Sequence, residues 1–227
     1  MTAQSEKLLW AAVLLTSASA YAAGFSIDVQ PTPVPAATAQ GRAQITAVRD
    51  NRRFQATPSD PSAPSLRNAE QLQDSTVTAR AIGRERFSYG RAAGNVMLPE
   101  GRTVELLVRD AVAKALVQVG YQVVDTGSAQ SANALPIKID IEQFWAWYTP
   151  RPPIAGGGTV EFRAVLVIMG EAITGQKEVI VTAYALGKGI ASADSMLVST
   201  PDEWRGVLVA GVDDLAKNAT AAMKPPR

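Results

Sequence analysis

The 227 residues carry 22 lysines and arginines against 21 aspartates and glutamates, with 47% hydrophobic and 19% charged residues. That composition describes a folded chain with an interior, and the near-neutral balance excludes a whole-molecule pull toward nucleic acid or an acidic surface. Cysteine and histidine are both absent, which removes the usual ligands of zinc, copper, haem and iron–sulfur sites and the Ser-His-Asp and Cys-His nucleophile arrangements. No cofactor is implied, and carboxylate, lysine, tyrosine or serine-lysine chemistry is what remains to an enzyme reading.

The chain opens with a polar stretch, Met1 to Lys7, then the apolar run Leu8 to Leu15, then the small residues TSASAYAAG. The run is too short to span a bilayer, which takes about 20 apolar residues, but it has the length and order of a signal peptide. Ala18-Ser19-Ala20 and Ala20-Tyr21-Ala22 both satisfy the small-x-small cleavage pattern. Residues 1–22 are therefore read as a signal peptide, with a short N-terminal anchor or a packed helix as the alternative. Residues 23–41, with Pro31, Pro33 and Pro35 among small residues, predict an extended linker. A single domain is expected over residues 42–224.

Within that domain, Arg42 to Arg49 reads as a first strand, closed by the charged turn Asp50-Asn51-Arg52-Arg53. Residues 56–78, rich in proline and serine, predict a flexible insertion. A short strand follows from Ala81 through Phe87 and Tyr89. Thr103 to Val119 then shows apolar residues at i, i+3 and i+4, ended by Gly120 as a C′ terminator. Tyr121 to Val124 is a strand. Pro136 to Phe144 alternates Ile137, Ile139 and Ile141 with Lys138, Asp140 and Glu142, and Thr159 to Met169 and Glu178 to Leu186 complete an antiparallel meander. The last helix begins with Thr200, Pro201, Asp202 and Glu203, a capping box with proline at N1, and runs to about Ala222. The expected class is α+β: a mainly antiparallel sheet with two helices on one face, in the order β-β-α-β-β-β-β-α.

Several of these segments, in this order, resemble the YajG-type family of uncharacterised bacterial envelope lipoproteins. The resemblance rests on Val48-Arg49-Asp50-Asn51-Arg52, on Ile82-Gly83-Arg84, and on the helix-glycine-strand block from Val104 to Asp125. It implies an accessory role at the outer membrane with no active site to carry over. The family's lipidated cysteine has no counterpart here, so the expectation is an exported periplasmic protein, or one held at the outer membrane by a partner.

Three groups are candidate sites. Trp145, Trp147 and Tyr148, followed by Arg151 and a Gly156-Gly157-Gly158 run, pack too many aromatics for one strand face. In unbroken register Trp145 and Trp147 share a face with Ile141, leaving one aromatic pair exposed for a protein partner, a glycan or a membrane interface. The alternative is that they cap the core or lie under a neighbouring hairpin. Arg49, Arg52 and Arg84 belong to an arginine-rich first half that suits an anionic envelope component, with ordinary ion pairs as the alternative. Asp140, Glu142 and Glu161 are the carboxylates a hydrolase of envelope polysaccharide would use, against exposed residues on a wet sheet face. The leading expectation is a non-enzymatic envelope accessory protein, with no transmembrane span after signal cleavage.

Overall fold

The protein is described by a computed structural model over residues 24–86, 92–150, 158–187 and 200–226. The export segment and Arg151 lie outside the described residues. In chain order the elements are β1 (Phe25–Ser26), β2 (Gly41–Asp50), α1 (Ser75–Thr78), β3 (Ala81–Arg86), β4 (Ala92–Met97), α2 (Val104–Val119), β5 (Tyr121–Val123), β6 (Leu135–Pro150), β7 (Gly158–Met169), α3 (Glu171–Thr174), β8 (Glu178–Leu186) and α4 (Pro201–Ala222). Single 3₁₀ turns sit at Ala69–Gln73 and Ser131–Asn133. This is the expected α+β order with β1, β4 and two one-turn helices added.

The eight strands of the described residues form one sheet, and β6 is its spine. Along one edge β7 runs antiparallel from Lys138 to Pro150, and β8 extends the sheet beyond β7. The other edge is shared end to end. β2 lies parallel to the stretch from Leu135 to Ile141, whereas β3 lies parallel at Ala146 and Trp147. β5 pairs outside β2, and β4 and then β1 outside β3. The longest ladders are antiparallel, but the β2, β3, β5 and β1 joins make the sheet mixed. Parallel joins depend on long crossovers, which residue alternation within a strand does not encode.

Helices α2 and α4 cover one face for reasons visible locally. Thr103 accepts the Leu106 amide at 3.2 Å to start α2, and Gly120, at φ 100°, ends it in a left-handed conformation that glycine adopts without strain. The Thr200 amide donates to Glu203 at 2.8 Å in the capping box of α4. Leu107, Val108, Ala111, Val112, Ala115 and Leu116 from α2 join Trp204, Leu208, Val212 and Leu215 from α4 over Ile137, Ile139, Ile141, Phe144, Phe162 and Leu166. Gly211 lets α4 approach closely: a Cβ there would stand 2.1 Å from the Phe162 ring.

The linker expectation changes at its first half. Phe25, Ile27 and Val29 alternate inward, Ile27 and Val29 are fully buried, and Phe25 packs edge-on against Trp204 with centroids 6.2 Å apart. Beyond Val29 the chain is extended and mostly exposed, yet it is tied down. The Thr32 amide donates to Asp213 at 2.9 Å, and Lys114 reaches the same Asp213 oxygen at 2.9 Å. Burial alone would raise the Asp213 carboxyl; hydrogen bonds from Lys114 and Thr32 outweigh it and hold the group below the ordinary range.

The 56–78 insertion is also packed rather than loose. Leu66, buried to 1% exposure, joins Ala81, Trp145 and Trp147 in a second apolar cluster flanked by Phe54, Leu72, Val77 and Met97. This cluster lies on the sheet face opposite the helices.

Candidate functional site

The aromatic stretch of β6 is explained by a bulge. The β6–β7 register slips between Ile141 and Gln143, and the β2 ladder along β6 stops at Ile141. One extra residue reverses the phase of alternation. Ile137, Ile139 and Ile141 face the helices, and after the bulge Phe144, Ala146 and Tyr148 take that face, leaving Trp145 and Trp147 on the opposite one. The insertion covers that opposite face. The expectation of an exposed aromatic pair is thus corrected: Trp145 and Tyr148 are fully buried and Trp147 retains 8% exposure. Phe54 packs edge-on against Trp145 with centroids 5.9 Å apart.

The three arginines do not converge. Arg49 is exposed and in register with Asp140. Arg52 is buried in the gap between the end of β2 and the start of β3. It binds Asp50 through two oxygens at 2.8 and 2.7 Å, and donates to the carbonyls of Ala81, Phe144 and Thr78. A guanidinium used at so many contacts fills a break in strand pairing rather than gripping a ligand. Arg84 is buried with one nitrogen donating to the Leu66 carbonyl. Burial, reinforced by Arg86 and Arg67, lowers its pKa. Its neighbour on β3, Glu85, is buried as well, and burial pushes its carboxyl up to about 7.

Glu161 stands far from Asp140. Asp140 stands opposite Val167, six residues along β7 from Glu161, which is about 20 Å at the rise of a strand. Glu142 accepts from Asn51 at 3.2 Å, while Glu161 accepts from Thr149 at 2.6 Å and from the Tyr184 hydroxyl at 2.8 Å. Neither glycosidase geometry, with separations of about 5 to 9.5 Å, fits Asp140 with Glu161.

What the sequence reading passed over is β8. Its core-facing residues are small, Val181, Ala183 and Ala185, whereas its outer face carries Ile180, Thr182, Tyr184 and Leu186. Ile180 is 69%, Tyr184 51% and Leu186 58% exposed, so three of the four large hydrophobic residues exposed among the described residues stand on this strand. Val165 and Val167 of β7, half-buried, continue the face beside Thr182 and Ile180. A cavity of about 440 Å³ opens next to it, lined by Trp147, Arg163, Thr182, Tyr184, Asp214 and Asn218 among others. The signal was legible in EVIVTAYAL: large apolar side chains alternate with alanines, and the alanines are the half the helix requires.

No family model matches the chain, and neither does any curated protein. Among solved structures it is similar to an uncharacterised protein at 10% identity, TM-score 0.40, over 88% of this chain and 97% of that one. It is also similar to protein XCC0632 from Xanthomonas campestris, of the DUF330 family, at 12% identity, TM-score 0.37, over 85% and 91% of the two chains. No helix among the described residues is long and apolar enough to cross a membrane.

Proposed function

We propose that this chain is exported to the periplasm and works there as a non-enzymatic accessory protein that binds a partner protein or another envelope component through the outer face of β7 and β8. Export is read from the apolar run Leu8 to Leu15 and the small residues after it, and the YajG-type resemblance points to the same compartment. The observation that carries the binding surface is the cluster of Ile180, Tyr184 and Leu186 on one strand face. Apolar side chains held in water at neighbouring positions mark interaction sites in soluble proteins. The polar rim of Glu161, Arg163 and Thr182 gives such a face direction. The polysaccharide-hydrolase reading loses support because Asp140 and Glu161 are too far apart to flank one scissile bond.

The test is crosslinking in intact cells from a photoreactive residue placed at Ile180 or Leu186, with Leu106, exposed on α2, as the comparison position. A discrete adduct from the β8 positions that is missing from Leu106, together with a trimmed N-terminus, supports the proposal. Equal labelling from all three positions, or an untrimmed chain retained in the cytosol, refutes it.

A further inference from the structure

Among the described residues β8 ends the sheet, for only β7 pairs with it there. The Gly187 amide bonds to Val160 at 2.8 Å, which fixes the parity of the ladder: the odd-numbered residues pair with β7. The amides and carbonyls of Ile180, Thr182, Tyr184 and Leu186 therefore point away from the sheet. An edge of this kind recruits another strand unless something blocks it.

Here the middle of the edge is blocked from the helix side. Asp214 accepts the Tyr184 amide at 3.2 Å, and the Asn218 side chain donates to the Thr182 carbonyl at 2.8 Å. Asn218 also donates to Asp214 at 3.1 Å, so each holds the other in place. The two residues lie one turn apart on α4 and supply one acceptor and one donor, the groups a neighbouring antiparallel strand would bring. At the ends of the edge, no hydrogen bond of this sort covers Ile180 or Leu186 among the described residues.

We propose that the β8 edge is a strand-pairing surface for a second copy of this chain, kept shut in the single molecule by Asp214 and Asn218. The edge is complementary to itself. Run antiparallel about Ala183, Thr182 faces Tyr184 of the second copy and Ile180 faces its Leu186. The two most exposed large apolar side chains, at 69% and 58%, then stand side by side, and Val167, opposite Ile180 on β7, extends the row. On the helix side the same register sets Ala183 against Ala183 and Val181 against Ala185, side chains small enough to admit two copies of α4. The contact is isologous, so it closes at two copies and does not propagate. Displacing the Asp214–Asn218 pair opens the Tyr184 amide and the Thr182 carbonyl to the partner strand.

The experiment measures the mass of the full chain in solution by light scattering, for the parent and two variants. Asn218→Asp keeps the side chain's size but replaces the donor with a carboxylate facing Asp214 and the Thr182 carbonyl. The joint Asp214→Ala, Asn218→Ala variant removes both groups. The expected result is a single-chain mass for the parent and a twofold mass for a variant with unchanged far-ultraviolet circular dichroism. If the alanine variant fails to fold, the isosteric variant gives the reading. A folded variant that keeps the single-chain mass overturns the proposal, as does a parent already at twice that mass, or a variant whose mass climbs past two chains. Register is tested in the opened variant by introducing Ile180→Cys with Leu186→Cys, the chain having no cysteine of its own. A disulfide-linked dimer is expected, and a twofold mass without the crosslink overturns the pairing described.

Discussion

The two halves of β6 share a helix-covered face but differ on the other. From Leu135 to Ile141 the outer residues, Lys138 and Asp140, meet solvent in whole or part. From Phe144 onward the outer residues are Trp145 and Trp147, roofed by the insertion. One strand is thus half of a two-layer domain and half of a three-layer one, and the bulge at Glu142–Gln143 marks the border. The chain leaves β2 at that border, and Arg52 bonds the carbonyls the departing strand leaves unpaired. The lesson is that an insertion poor in large apolar residues still makes a layer when a bulge turns two tryptophans toward it.

Substitutions in the two halves sharpen or break this contrast. The largest effect is expected at Trp145→Ala, which empties a fully buried position beneath the insertion and costs about 3–5 kcal/mol. Denaturant unfolding measures it, and a loss below about 1 kcal/mol would mean the roof is not packed. Next comes Arg52→Ala, which strands the Asp50 carboxylate and three carbonyls at a cost of about 3 kcal/mol. Arg52→Lys should recover only part of that, because an ammonium cannot bind Asp50 bidentately; equal stability of lysine and arginine would remove the gap-filling account.

A third expectation concerns Glu85 on β3, the strand that borders only the roofed half. Burial lifts its carboxyl from 4.5 in the unfolded chain to about 7 in the folded one. The folded state holds this proton more tightly, so its contribution is complete below about pH 4.5 and is lost as the pH rises through 7. Glu85→Gln should match the parent near pH 4 and exceed it by about 3 kcal/mol near pH 8, read from unfolding curves at both values; parallel pH profiles for the two proteins would contradict it. The smallest effect belongs to Lys138→Ala in the open half, within about 0.5 kcal/mol of the parent. A cost like that of Trp145→Ala there would erase the distinction between the halves.

Much of this architecture was readable because it is local. The alternation of Ile137, Ile139 and Ile141, the i, i+3, i+4 pattern of α2, and the Thr200–Glu203 cap each act within a few residues. The bulge did not announce itself, for Ile141-Glu142-Gln143-Phe144 contains no glycine or proline to mark it, and so the predicted face of Trp145 and Trp147 came out reversed. Leu66, Phe54, Leu72 and Val77 are scattered through a polar segment, and only their meeting over Trp145 makes them a cluster. Phe25, Ile27 and Val29 were legible as alternation but stood too near the prolines to be read as part of the fold. Of the candidate site residues, Arg52, Arg84, Trp145, Trp147 and Tyr148 are buried in the fold. The exposed apolar face lies instead on β8, where Ile180, Tyr184 and Leu186 alternate with residues that face the helix.

The bond from Thr32 to Asp213 joins positions 181 residues apart. It makes an early segment wait for a late one, since Phe25 finds Trp204 and Thr32 finds its carboxylate only once α4 exists. A nascent chain halted before residue 213 could pair β1 with β4 but would leave Thr32 without its carboxylate. Synthesis of α4 is therefore also the moment at which the segment around Thr32 gains this hold.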